Sequence, residues 1–257
     1  MATIEQGEAS RSIEFTTIEK LFDEINCTTG DMLLVHRVSV QQLAEIEKAT
    51  EERGRRFRFH YAPTKALIIT IPTGIHERLH LELWDTIRDA IVYMGLRASC
   101  GQSDSSGGPK PERHYPGAWP TLVVEVGYSQ TLQGLRNKMR WWFTASGHQV
   151  KIVLIAKLEL RTREITIEKY IEAPAQSRPG ATTTRAAAIR ELEPTCTQAI
   201  TITEDPTRPM SYNVTREALR LEFHLLFLRQ PRQGEGDIVI NTQELQEYAG
   251  EVWHMVV

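Results

Sequence analysis

The sequence predicts an α/β fold in which a mixed β-sheet is flanked by helices. In residues 75–94, apolar side chains recur at every fourth position, which is typical of a helix with one buried face. Its apolar positions are Leu79, Leu83, Ile87 and Ile91. Two short apolar runs, 121–126 and 150–158, are typical of buried strands, and residues 130–145 between them have helical spacing. This order predicts two parallel strands joined by a right-handed crossover.

The composition sets limits on the class of protein. The chain has 257 residues, of which 41% are hydrophobic and 25% are charged, as in ordinary globular proteins. Its 30 Lys and Arg residues oppose 33 Asp and Glu residues, so the formal net charge is −3. Binding of nucleic acid by bulk positive charge is thereby excluded, and any such contact needs a local patch.

The cysteines and the apolar runs bear on location. Cys27, Cys100 and Cys196 lie far apart without a CxxC pair, which argues against a disulfide framework and against a structural zinc site. No apolar run approaches the ~18 residues that a membrane span needs. We therefore expect an intracellular protein, cytoplasmic or nuclear, with no membrane partner.

The first part of the chain is interpreted as a polar leader and one helix, residues 1–54, followed by a core over residues 55–171. The helix is predicted over 39–53 because its residues are strong helix formers. Two short extended runs, 56–61 and 66–71, are then predicted to form a β-hairpin.

Strands and loops complete the predicted core. A short strand is expected at 96–101, and a polar, Pro-rich loop runs from there to residue 116. Ser129 is predicted to cap the helix 130–145. Residues 164–171 alternate between polar and apolar, as an antiparallel neighbour of the strand at 150–158 would.

The last third of the chain begins with a change of composition. Residues 172–198 are rich in Pro, Ala and Thr and are predicted to be a flexible insertion or linker. Residues 199–257 are expected to complete or decorate the core. The predicted elements are strands at 198–203 and 237–240, a segment at 218–228 that fits a strand or a helix, and a final helix capped by Asn241.

Four charged residues are candidates for a chemical role. Glu125 lies in the middle of the most apolar strand, where a carboxylate is costly unless it is paired or bound to a metal. Asp104 follows a predicted strand, Lys138 lies on the next helix, and Glu77 lies in the first turn of the long helix.

The segments that carry these residues resemble the PD-(D/E)XK nuclease superfamily, in particular the Uma family of restriction endonucleases and its fungal relatives. The resemblance covers roughly residues 55–170 and rests on the segments 72–77, 103–104, 119–129 and 135–142. It implies a restriction-endonuclease-like fold and hydrolysis of phosphodiester bonds in nucleic acid, with DNA favoured over RNA. Gly127 departs from the common form of the motif, which has a lysine two residues after the second acid.

The resemblance also implies roles for the four residues. Asp104 and Glu125 would bind Mg²⁺ or Mn²⁺, since hard cations prefer oxygen ligands. Glu77 would be an outer or second-metal ligand, and Lys138 would stabilise charge on the phosphate. The alternative is a catalytically inactive binding or scaffold protein of the same fold. The oligomeric state stays open, and a homodimer is one alternative.

Three of the four candidates also have a purely structural interpretation, whereas Glu125 is hard to explain structurally. Asp104 suits a Ser/Gly-rich turn, Glu77 suits the positive end of a helix dipole, and Lys138 suits a solvated helix face.

Two further groups of residues have alternative interpretations. A basic and aromatic cluster could grip a nucleic-acid backbone, although the sequence favours its tryptophans as anchors of the helix in the core. The cluster consists of Arg136, Lys138, Arg140, Trp141 and Trp142. His76 and His80, four residues apart on one helix, form a candidate metal pair without a third ligand.

Overall fold

The computed structural model describes residues 11–55, 57–62, 65–96, 106–107, 118–174, 192–216, 218–254 and 256. Its described elements are two larger mixed β-sheets, one two-stranded sheet and six helices, which confirms the α/β prediction. Among the described residues, no helix is both long and apolar enough to cross a membrane.

The N-terminal sheet contains four strands and carries two helices. Its elements are β1 (Arg11–Glu14), α1 (Ile18–Cys27), β2 (Met32–His36), α2 (Val40–Glu52), β3 (Arg58–Ala62) and β4 (Ala66–Thr70). The strand order is β1-β2-β4-β3, with β1 parallel to β2 and the other pairs antiparallel. Leu21 of α1 and Ile46 of α2 pack with Leu33 and Ile69 of the sheet in one apolar cluster.

This sheet differs from the prediction for residues 1–54, which gave only a leader and one helix. The predicted hairpin exists as β3 and β4, but β4 pairs with β2. The expected division after residue 54 therefore separates strands that share a sheet. The predicted elements do not include β2, although its residues Met32–Val35 form a short apolar run.

The main sheet has six strands in the order β10-β9-β8-β7-β6-β5. Along the chain, the long helix α3 (Gly74–Tyr93) is followed by β5 (Ser106–Gly107), β6 (Leu122–Gly127), α4 (Leu132–Ala145), β7 (Ile152–Glu159), β8 (Glu164–Pro174), β9 (Leu192–Asp205) and β10 (Arg208–Val214). The strands β6 and β7 are parallel, as predicted, and the other pairs are antiparallel.

The C-terminal elements pack on the same sheet. They are β11 (Leu219–Leu221), α5 (Phe223–Phe227), β12 (Ile238–Ile240) and α6 (Thr242–His254). The segment at 218–228 therefore contains both a strand and a helix. Asn241 caps α6, since its side-chain oxygen accepts from the Glu244 backbone N–H at 3.1 Å.

The two faces of the main sheet are covered by different helices. Val124 of β6 belongs to an apolar cluster with Leu79 of α3 and Trp253 of α6. Val123 belongs to a second cluster with Leu135 and other residues of α4. Because successive side chains of a strand point to opposite faces, Glu125 points to the α4 face together with Val123.

Both ends of the predicted insertion need correction. Residues 172–174 and 192–198, the ends of the predicted insertion, lie in β8 and β9, where Glu172 pairs with Pro194. The composition of these residues did not predict strands, because it has few large apolar side chains. Backbone pairing between β8 and β9 nevertheless extends both strands into these residues. Residues 175–191 lie outside the described residues, as do 97–101 of the strand expected at 96–101.

Candidate active site

Glu125 occupies an apolar setting but has polar partners. It is 2% exposed at the fourth position of β6. Its Oε1 accepts a hydrogen bond from Trp142 Nε1 at 2.7 Å, and its Oε2 lies 3.7 Å from Lys138 Nζ. Both partners lie on α4, so the helix that covers this face of the sheet also supports the carboxylate.

Lys138 is buried as deeply as Glu125. Its side chain is 1% exposed, and its Nζ donates to Thr70 Oγ1 at 2.7 Å. A buried ammonium group is costly unless it has both a counter-charge and hydrogen-bond acceptors. Glu125 supplies the charge and Thr70, from the N-terminal sheet, supplies an acceptor. The structural interpretation of Lys138 as a solvated lysine on the helix face is therefore wrong.

Of the two other predicted metal ligands, the structure describes only Glu77. Asp104 lies outside the described residues. Glu77 is exposed in the first turn of α3, and among the described residues it makes no ion pair with Lys138. No group of three His, Cys, Asp or Glu side chains that could hold a metal occurs within the part of the chain that the structure describes. Among the predicted metal ligands, Glu125 is the one that the structure describes next to Lys138.

Asp31 is a buried acidic residue that sequence analysis missed. It is 1% exposed just before β2, and it binds the backbone that follows β6. The Tyr128 N–H donates to its Oδ2 at 2.9 Å and the Ser129 N–H to its Oδ1 at 3.1 Å, while the Ser129 hydroxyl also donates to Oδ1. His76 Nδ1 lies 3.1 Å from Oδ2.

These contacts determine the charge state of Asp31. Burial raises the pKa of its carboxyl group, but the hydrogen bonds from His76 and Ser129 outweigh burial and lower the pKa to about 2. Asp31 is therefore ionised at neutral pH. The carboxylate of Asp31 lies between His76 and Ser129. In a nucleophilic triad the histidine lies between the serine and the carboxylate, so these three residues do not have the arrangement of a triad.

Ser129 consequently has another role than the predicted helix cap. The N-cap of α4 is Thr131, whose side chain accepts from the Gly134 N–H at 3.1 Å. Ser129 binds Asp31 instead of capping the helix. His76 and His80 are both buried, and His76 is engaged by Asp31, so the structure gives no support to a metal pair on α3.

A second lysine lies at the end of the parallel strands. Lys157 of β7 pairs in register with Gly127, and its Nζ donates to the carbonyl oxygens of Tyr128 and Leu158. Burial lowers the pKa of its ammonium group. At Gly127 there is little space for a side chain, because a Cβ atom would lie 3.3 Å from Leu135 Cδ2 and 3.4 Å from Asp31 Oδ2. Alignment of the two predicted parallel strands in this register would have placed Lys157 beside Gly127.

The basic and aromatic cluster on α4 is largely engaged in internal contacts. Arg136 binds the buried carboxylate of Glu168 through two hydrogen bonds, at 3.0 and 2.5 Å. Trp119, Trp141 and Trp142 pack edge to face, with ring centroids 5.1–6.4 Å apart. Arg140 lies on the surface. These contacts favour the interpretation of the tryptophans as structural anchors.

Comparison of the chain with protein-family models gives no match, and comparison with curated proteins gives none either. Functional inference therefore depends on the geometry around Glu125.

Proposed function

We propose that the protein is a metal-dependent nuclease that hydrolyses phosphodiester bonds in nucleic acid, with DNA favoured over RNA, and that its main sheet is restriction-endonuclease-like. One observation carries the proposal. Glu125 and Lys138, selected from sequence on two different elements, lie 3.7 Å apart with side chains only 3% and 1% exposed. Buried charged side chains that face each other are found at functional sites, and also in structural ion pairs.

The chemistry of this pair suits phosphate hydrolysis. Mg²⁺ or Mn²⁺ held by Glu125 and Asp104 would activate water and polarise the phosphate. The ammonium group of Lys138 would offset the negative charge that develops on the phosphate oxygens. Trp142 holds one oxygen of Glu125 at 2.7 Å and so fixes the orientation of the carboxylate. Glu77, exposed at the start of α3, is assigned an outer role.

Substitution Glu125→Gln tests this function. Glutamine retains an oxygen for Trp142 but removes the charge, so we expect loss of Mn²⁺ binding in calorimetric titration and loss of Mg²⁺-dependent cleavage of DNA. Because Lys138 would lose its counter-charge, the free energy of unfolding should also fall, by ~3–5 kcal/mol. The double variant Glu125→Gln/Lys138→Met removes both buried charges and should recover part of that stability without recovering metal binding.

The matched control is Glu159→Gln, which changes a half-exposed glutamate on the neighbouring strand. It should bind Mn²⁺ and cleave DNA as the unmodified protein does. Equal Mn²⁺ binding by the unmodified protein and Glu125→Gln would contradict the proposal. So would an absence of cleavage of both DNA and RNA by the unmodified protein. Either result would favour the inactive scaffold, for which the engagement of Glu125 by Trp142 is the supporting observation.

A further inference from the structure

Thr70 ends β4 of the N-terminal sheet and contacts the proposed site from outside the main sheet. We propose that Thr70 is a positioning residue, which holds the ammonium group of Lys138 beside Glu125 and so makes the N-terminal sheet part of the nuclease site. This inference rests on the proposed function and adds a residue of the N-terminal sheet to the proposed site.

The distances assign Thr70 this role. Lys138 Nζ lies 2.7 Å from Thr70 Oγ1 but 3.7 Å from Glu125 Oε2. The first distance is that of a hydrogen bond, whereas the second is beyond one. The hydroxyl group is therefore the closer acceptor of the two and limits rotation of the long lysine side chain. The Coulombic attraction to Glu125 has no such directional preference.

Thr70 is itself held in place on both sides. It pairs with Met32 of β2 and with Arg58 of β3, so β4 is an inner strand of its sheet at this position. Threonine is β-branched, and its side-chain rotamer is restricted accordingly. An acceptor on a rigid inner strand is better suited to orienting a lysine than an acceptor on a loop would be.

A second set of contacts connects the end of β4 to the residues that follow β6. The N–H of Ile71, the residue after Thr70, donates to the Asp31 carbonyl oxygen at 2.9 Å. The Asp31 side chain in turn accepts from the N–H groups of Tyr128 and Ser129, directly after β6. The position of Thr70 relative to Glu125 is thus restrained by Asp31 as well as by Lys138.

The expected consequence is a loss of turnover rather than of substrate binding. A buried ammonium group that shifts by about 1 Å would no longer face the position where negative charge develops, and such misplacement costs up to about 100-fold in rate. A group buried this deeply contributes little to the initial contact with nucleic acid. The value of kcat should fall while KM stays near its original value.

The experiment compares three substitutions of Thr70 with one matched control. Thr70→Val replaces the hydroxyl by a methyl group of similar size, Thr70→Ala removes both, and Thr70→Ser retains the hydroxyl. The control is Thr50→Val, because Thr50 is also 5% exposed and lies in the same N-terminal unit. Its hydroxyl donates within α2, to the Ile46 carbonyl oxygen at 2.7 Å.

Steady-state cleavage of labelled DNA in Mg²⁺ gives kcat and KM, and urea unfolding reports the folded state of each variant. We expect Thr70→Val and Thr70→Ala to lower kcat by about 10- to 100-fold with KM unchanged. Thr70→Ser should retain most of the activity, and Thr50→Val should turn over like the unmodified protein even where it loses stability.

Three results would overturn the inference. If folded Thr70→Val or Thr70→Ala turns over at the original kcat, Thr70 does not position Lys138, although the nuclease function stands. If Thr70→Ser is as impaired as Thr70→Val, the hydroxyl group is not the cause. If the unmodified protein cleaves neither DNA nor RNA, the proposed function fails and the positioning role fails with it.

Discussion

Buried charged side chains are gathered around one end of β6. Glu125 and Lys138 approach each other across the β6–α4 contact, and Asp31 binds the backbone just beyond the strand. Transfer of each charge from water is unfavourable, and specific partners compensate for it. Removal of a single partner would leave a buried charge without compensation, so it should lower the stability of the protein strongly.

Asp31→Asn should lower the free energy of unfolding at neutral pH by about 2 kcal/mol. The pKa of Asp31 in the folded protein, about 2, is below the ordinary value of 3.8, so folding favours the ionised form. That stabilisation is complete above about pH 4 and is lost as the pH falls towards about 2. Urea unfolding at several pH values should show the difference between the two proteins shrinking on acidification.

Asp89→Asn is the control for this series, because the side chain of Asp89 is 77% exposed. Its stability should follow that of the unmodified protein at each pH. A difference for Asp31→Asn that stays constant down to about pH 2 would contradict the assignment of an ionised Asp31.

At the scale of elements, α4 is attached to the main sheet by polar as well as apolar contacts. Arg136 of α4 binds Glu168 of β8, and the hydroxyl of Tyr170 donates to the same carboxylate at 2.7 Å. Burial raises the pKa of Glu168, but the hydrogen bonds from Arg136 and Tyr170 reverse this and lower it. The helix that carries Lys138 and Trp142 is therefore anchored to β8 at a second point.

Arg136→Met should destabilise the protein by about 1–3 kcal/mol, because Glu168 would stay buried without its guanidinium partner. The pKa of Glu168 should rise, which NMR titration of its side chain would detect. Arg140→Met, on the surface of the same helix, should change stability by less than about 0.5 kcal/mol. Equal effects of the two substitutions would show that the Arg136–Glu168 pair does not anchor α4.

At the scale of the whole molecule, the C-terminal region completes the main core. Residues of α5, α6, β11 and β12 belong to the same apolar cluster as α3 and β6. Trp253 near the end of α6 is fully buried, and the Tyr248 hydroxyl donates to the Leu79 carbonyl oxygen at 3.2 Å. The long helix is thus packed between the sheet and elements more than a hundred residues away in sequence.

Trp253→Ala should lower the free energy of unfolding by about 3–5 kcal/mol, the usual cost of truncating a large buried aromatic side chain. Hydrogen exchange of the β6 and β7 amides, which reports the opening of the main sheet, should show this loss as reduced protection. His254→Ala changes the exposed neighbouring residue and should leave that protection intact. Unchanged protection in Trp253→Ala would mean that α6 is not part of the cooperative core.

The sequence by itself determined the elements whose pattern is local. The helices α3 and α4 are recognisable because each repeats its apolar period over several turns. The strands β6 and β7 are recognisable because each lies in a short, nearly continuous apolar run. Glu125 could be selected in the same way, since a carboxylate within an apolar run is anomalous without reference to any other segment. Lys138 could be named as a candidate, but its burial could not be predicted.

Only the tertiary structure decided which residues meet. Asp31 follows a glycine and has the sequence context of a turn residue, yet it binds Ser129, 98 positions away. Thr70 is an ordinary strand residue until the N-terminal sheet brings its hydroxyl to Lys138, 68 positions away. Such pairings are absent from local periodicity because they depend on how strands associate, and association is set by burial and backbone pairing across the whole chain.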